Sequence, residues 1–250
     1  MKTQAASPAV LRLGDFLFRW RSYLPFLLLP LVVFAVARAR HLFSSHAADL
    51  AWEFACLSLA MAGLALRVWT VGVAAPGTSG RNTRHQKAAS LNTTGPYSIV
   101  RHPLYVANGI IILGLFLFMH GWIAPPVVAA VTVVYYACIA RREEAFLRER
   151  FGPEFLEWAA RVPALVPAWG RYVPPAHPFR WKVAVRREFY AAALILVAPL
   201  FLDMVEDFQD TRRLVLDPVW VVTATGGVLL FVVLRHFKKH TSVLTLAPDA

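Results

Sequence analysis

The sequence has little charge. Lys, Arg, Asp and Glu make up 16% of its 250 residues, while the apolar set AVILMFWYC makes up 58%. A soluble domain carries about a quarter charged residues. Water could not wet this surface, so an ordinary soluble enzyme is excluded, and a disordered chain is excluded with it. Cysteine is nearly absent. Cys56 and Cys138 both lie in apolar runs, which rules out a disulfide framework and reads as two small buried hydrophobes. His-Glu-x-x-His, Cys-x-x-Cys and acidic pairs at ligand spacing are missing, so no metal site is expected. The Gly-x-Ser-x-Gly elbow and the Gly-x-Gly-x-x-Gly turn are missing too, so a serine-hydrolase site and a Rossmann domain are not expected.

What remains is an all-α, polytopic membrane bundle, one domain over residues 1–250, with about six spans. These are Tyr23–Ala37, Leu50–Ala75, two helices within Leu104–Ala140 separated by a turn at Met119-His120-Gly121-Trp122, Phe189–Leu202 and Val219–Leu234. The first and fifth are short for a hydrocarbon core that takes about 20 helical residues to cross; the fifth could be re-entrant. The net charge of +11 reads as inner-face basic residues and contact with anionic lipid, not as a nucleic-acid surface. With the N-terminus inside, only Arg38, Arg40, Arg212 and Arg213 fall outside, and the acidic loop Asp203–Asp217 faces outward. The expectation is a bacterial-type inner-membrane protein with both termini cytoplasmic. Trp20, Trp52, Trp122 and Trp220 stand at span ends, where aromatic belts form.

Two long cytoplasmic segments hold the chemistry. Pro76–Pro103 interleaves Arg81, Arg84 and Lys87 with Asn, Thr and Gln, and ends in Tyr97-Ser98-Ile99-Val100-Arg101-His102-Pro103. Pro103 suits a first helical turn, which sets Arg101 and His102 at the mouth of the third span. They read either as positive-inside charge or as ligand-binding groups. Arg141–Glu188 opens with Arg141-Arg142-Glu143-Glu144. The adjacent carboxylates either pair along the helix, Glu144 with Arg148, or bind a cationic or polyhydroxylated ligand. Phe146, Leu147, Phe151, Phe155 and Trp158 recur at helical spacing, as in an amphipathic interfacial helix, broken at Gly152-Pro153 and ended at Arg161-Val162-Pro163. Within the spans, Arg67 either snorkels to the surface or serves a site. Asn108 is either interhelical glue or a site residue. His120 and the other scattered histidines read as interfacial.

The string Thr94-Gly95-Pro96-Tyr97-x-x-Val100-Arg101-His102-Pro103-x-Tyr105, a helical hairpin, then Glu143-Glu144-x-x-Leu147-x-x-x-Phe151-Gly152 and Val162-Pro163 resembles the isoprenylcysteine carboxyl methyltransferase and phospholipid methyltransferase superfamily over roughly residues 63–167. The resemblance implies a methyltransferase core with a cytoplasm-facing S-adenosylmethionine site and no Rossmann fold. Tyr97, Arg101, His102, Pro103 and Tyr105 would line the cofactor pocket, with Glu143 and Glu144 closing it and Arg101 and His102 nearest the chemistry. Ala89 stands where the isoprenylcysteine branch has His, and Ala107 where the family has a glycine. The stretches Gly80-Arg81-Asn82-Thr83 and Asn92-Thr93-Thr94-Gly95 look more like members that methylate the 1-phosphate of lipid A.

Methyl transfer from a sulfonium is an in-line displacement with a neutral leaving group, so the enzyme mainly aligns and desolvates. An anionic acceptor needs cations and no general base; Arg81, Arg84 and Lys87, with Arg142 or Arg161, supply them. A phospholipid amine, an isoprenylcysteine carboxylate or a small thiol are the alternative acceptors. A transporter or a scaffold is the non-enzymatic alternative, against which stand spans nearly free of charge and polar groups gathered on one side.

Overall fold

The computed structural model describes residues 45–78 and 89–246, with Phe16, Pro30, Leu31, Val33 and Phe34 besides; the described residues form helices and no strand. The helices are α1 (His46–Val73), a single turn α2 (Pro96–Ile99), α3 (Pro103–Phe118), α4 (Ala124–Phe151), α5 (Pro153–Arg161), α6 (Trp181–Thr211) and α7 (Pro218–His240). Four of them, α1, α4, α6 and α7, are long and apolar enough to cross a membrane, and α3 is a shorter apolar helix of 16 residues. The expected first span, Tyr23–Ala37, lies outside the described residues apart from Pro30, Leu31, Val33 and Phe34.

Small residues set the packing. Without a hydrophobic force between helices in lipid, close backbone approach supplies the van der Waals attraction. A Cβ on Gly63 of α1 would lie 2.8 Å from the Ala107 carbonyl oxygen of α3, and one on Gly114 of α3 would lie 2.8 Å from the Cys56 oxygen and 2.9 Å from the Ala60 nitrogen of α1. These pairings run in opposite chain directions, so α1 and α3 are antiparallel. Ala107 is fully buried here, so the small residue this contact needs is supplied by alanine. Gly227 of α7 meets Leu196 and Ala193 of α6 in the same way.

Four sequence expectations change. The fifth span is neither short nor re-entrant, because it lies within the 31-residue α6. The basic residues before it do not stop the helix, since Arg186 donates to the Leu244 carbonyl and Glu188 pairs with Arg67. The acidic stretch from Asp203 is not a loop but the last turns of α6 through Thr211, with Asp203 and Glu206 buried on one face. The segment after Arg141 is a straight continuation of α4, so only α5, beyond the Gly152 break, is a separate amphipathic helix. Trp220 is no belt residue; it is fully buried against Phe54 and Phe118.

Gly114→Leu should force α1 and α3 apart. Overpacking of this kind costs about 1–3 kcal/mol or more. The expected result is a lowered thermal unfolding midpoint in detergent, with Gly226→Leu, where a Cβ meets nothing within 4 Å, unchanged.

Candidate active site

The turn into α3 is built first. Gly95 sits at φ +60, where a Cβ would press Pro175 and Val73 at 3.2 Å. The backbone from Gly95 to His102 is laced to the segment after α5. Gly95 N–H donates to Val173 O (2.9 Å), Arg101 N–H to Pro163 O (2.8 Å), His102 N–H to Ala164 O (3.2 Å) and Ala168 N–H to Ile99 O (2.8 Å). Ser98 Oγ accepts from Val173 N–H at 2.9 Å, and Trp158 Nε1 donates to Tyr97 O at 3.1 Å. Asn92 bridges the end of α1, accepting from Ala75 N–H (2.9 Å) and donating to Thr78 Oγ1 (2.8 Å). The Asn, Thr, Gly and Pro of this segment therefore hold one backbone shape.

That shape delivers Arg101 and His102 to the carboxylates of α4. Glu144 Oε1 lies 3.0 Å from His102 Nε2 and 3.2 Å from Arg101 Nε, and Glu143 Oε2 lies 3.7 Å from His102 Nδ1. Glu144 thus turns across to the mouth of α3. Arg101 is half-buried, with 12% of its side chain exposed, and its Nη1 has no hydrogen-bond partner among the described residues. Its Nε faces Glu144 without hydrogen-bond geometry. A guanidinium held this way has donors left over for an anion. The His102 ring stacks on Tyr105 (centroids 5.4 Å), and Tyr105 stacks on Tyr136 of α4 (4.7 Å). An aromatic wall therefore stands beside the paired charges, a surface suited to a flat ring or a cation. Burial pushes the Tyr97 phenol up from its ordinary value, the charge of Glu143 adds to this and Arg187 opposes it. Tyr97 therefore stays a neutral hydroxyl.

Beneath this wall lies a buried polar network. Arg67 of α1 donates from Nε and Nη2 to the two oxygens of Glu188 on α6, at 2.7 and 2.9 Å, and from Nη1 to Asn108 Oδ1 on α3. Tyr136 of α4 stands beside Asn108. Arg67 therefore does not snorkel; it joins α1, α3 and α6, and Asn108 is interhelical glue one turn below Tyr105.

Of the residues singled out in the sequence, Tyr97, Arg101, His102, Pro103, Tyr105, Glu143 and Glu144 come to one end of the bundle. Arg142 is half-buried and immediately precedes Glu143 on α4. Arg161 does not join them: it is exposed and donates to the Glu157 carbonyl of its own helix. Arg81, Arg84 and Lys87 lie outside the described residues. Sequence reasoning missed Tyr136 and Glu188. An acidic residue one helical heptad inside a basic run was the only available signal for Glu188.

Residues 53–154 match the family model described as phospholipid methyltransferase. The chain is 39% identical over 120 residues to the cobalt-zinc-cadmium resistance protein CzcN of Cupriavidus metallidurans, covering 46% of this chain and 51% of that protein. It is 39% identical over 82 residues to the nickel-cobalt-cadmium resistance protein NccN of Alcaligenes xylosoxydans xylosoxydans, covering 33% of this chain and 38% of that protein. The matched segments thus span about half or less of these curated relatives. No solved structure matches the chain.

Glu188→Leu should strand the Arg67 charge in the bundle. Breaking a buried pair on one side costs about 3–5 kcal/mol. The unfolding midpoint in detergent should fall sharply, and the Arg67→Met/Glu188→Leu double variant should recover most of the loss. A double variant no better than the single one would show that the pair does more than neutralise a charge.

Proposed function

On the footing that residues 53–154 belong to the phospholipid methyltransferase family, we propose that this protein is an integral-membrane methyltransferase. It uses S-adenosylmethionine, and its acceptor is a lipid with an acidic head group, a lipid phosphate such as the 1-phosphate of lipid A. The observation that carries this reading is Arg101: a half-buried guanidinium whose Nη1 has no hydrogen-bond partner among the described residues, set beside Glu144 and an aromatic wall. Such a group is stabilised by an anionic ligand. The cofactor carboxylate and the acceptor phosphate share that chemistry.

When bound, S-adenosylmethionine supplies a methyl carbon made electrophilic by its sulfonium. The residues of this chain do the rest. Arg101 holds an anion at the mouth of α3. Glu143 and Glu144, held in place by His102 and Arg101, receive a cationic amine. Tyr105 and Tyr136 give a flat apolar face that excludes water from the reacting atoms. His102 is gripped by Glu144 and stacked on Tyr105, and it positions the carboxylates. An acceptor oxyanion already carries the attacking lone pair, so these residues would only have to hold and desolvate it. No proton has to move, which suits a site with no free general base. In this reading the His102 end faces the cytoplasm, where Arg81, Arg84, Lys87 and Arg142 draw the phosphate in. Methylating a lipid phosphate removes negative charge that gathers cations at a membrane surface, which accords with relatives named for resistance to cobalt, zinc, cadmium and nickel.

The test is calorimetric binding of S-adenosylmethionine to detergent-purified protein, followed by transfer of labelled methyl to a lipid extract. Wild type should bind, and Arg101→Ala should bind about 10–100-fold more weakly, the scale of a lost charge-assisted hydrogen bond. Label should enter phosphate-bearing lipid and stay absent from lipid that offers only an amine. Absence of binding by monodisperse wild-type protein, or an unchanged affinity in Arg101→Ala, would overturn the assignment.

A further inference from the structure

The opposite end of the bundle holds a second polar cluster that methyl transfer does not use. Three helical elements converge there. Glu53 comes from the first turns of α1, His120 from the turn between α3 and α4, and Glu206 from the last turns of α6. All three are buried, and a ligand atom of each lies within 4.8 Å of the others. His120 Nδ1 sits 3.1 and 3.0 Å from the two oxygens of Glu206, and its Nε2 sits 3.7 Å from Asp49 Oδ1. Glu53 Oε2 accepts from Trp220 Nε1 at 3.0 Å, while its Oε1 is buried with no hydrogen-bond partner among the described residues.

From this arrangement we infer that Glu53, His120 and Glu206, with Asp49 beside them, form a binding site for a divalent transition-metal ion of the zinc class. Four features of the cluster support it. The donor set is one imidazole nitrogen with carboxylate oxygens, which suits zinc, cobalt or nickel better than the all-oxygen cations. Bonds of about 2.0–2.2 Å to a shared ion bring ligand atoms within roughly 3.5 Å of each other, and the 3.0 and 3.1 Å from His120 Nδ1 to the Glu206 oxygens lie within that span. The Trp220 indole fixes one oxygen of Glu53 and leaves the other turned into the cluster, the kind of outer hydrogen bond that orients a ligating carboxylate. Finally, His120 adopts φ +51. A non-glycine residue in the left-handed region is uncommon and costs free energy, and here it carries the imidazole to the carboxylates. No local spacing could reveal the site, because its residues come from three separate parts of the chain.

The inference is independent of the methyltransferase reading, and one experiment separates the two. Full-length protein in detergent is stripped with chelator and dialysed against Zn2+ or Co2+. Bound metal is then counted by elemental analysis, and the visible absorption of bound Co2+ is recorded. Wild type should take up one ion per chain, with a Co2+ spectrum of nitrogen and oxygen ligation. Glu53→Gln is isosteric and can still accept from Trp220, so it keeps the packing; it should weaken uptake at least tenfold. His120→Asn should abolish the spectrum. Arg101→Ala, at the other end, should keep full occupancy whether or not it binds S-adenosylmethionine. Folded wild-type protein that takes up no ion would overturn the site. So would a Glu53→Gln variant with wild-type affinity and spectrum, which would place the metal elsewhere.

Discussion

Arg67 carries a permanent charge two turns inside the end of α1, and the bundle near the candidate site is arranged around where that charge goes. A guanidinium in a lipid-embedded bundle must find partners on other helices. Glu188 takes both of its forks, and Asn108 takes the remaining donor. The consequence is positional. Asn108 lies one turn past Tyr105 on α3 and beside Tyr136, so the charge that ties α1 to α6 sits directly beneath the stacked tyrosines. The aromatic wall and the ion pair are adjoining layers.

The entry to α3 is rigid for a different reason. Backbone hydrogen bonds from the segment after α5 run along both sides of Gly95–His102. Connections in a membrane protein expose unpaired amides, and non-helical backbone is tolerated where protein or water satisfies it. Here residues 163–173 do so. They also explain why Val162-Pro163 belongs with the Arg101-His102 string although it is remote in sequence. Proline at 163 leaves its carbonyl free to receive the Arg101 amide.

Much of this was legible beforehand, and what was not has a common cause. The turn at residues 119–122, the helix start at Pro103 and the break at Gly152-Pro153 follow from local rules for proline and glycine. The string around Arg101 and the Glu143-Glu144 pair read together through resemblance, and the two do meet. Long-range pairing was illegible. Glu188 and Arg67 are 121 residues apart, so nothing local shows that the charges before the fifth span are neutralised and that α6 can run through them. Asp203 and Glu206 read as loop residues by the same logic. Five carboxylates in the fifteen residues from Asp203 to Asp217 look soluble until a histidine from another turn is placed against one face.

The shortness of α3 connects the two ends. Sixteen residues rise about 24 Å, less than the roughly 30 Å of a hydrocarbon core. Its neighbours α1, α4 and α6 have 28, 28 and 31 residues. His102 at one end of α3 and His120 at the other are both buried. Each is met there by a carboxylate from one of those longer helices: Glu144 from α4 at one end, Glu206 from α6 at the other. Low dielectric strengthens such contacts and raises the cost of leaving any polar atom unmatched. Among the buried polar atoms that lack a partner in the described residues, Arg101 Nη1 lies at one end and Glu53 Oε1 at the other, and they belong to groups of opposite charge. The same short helix thus sets the proposed anion place at one end of the bundle and the proposed cation place at the other.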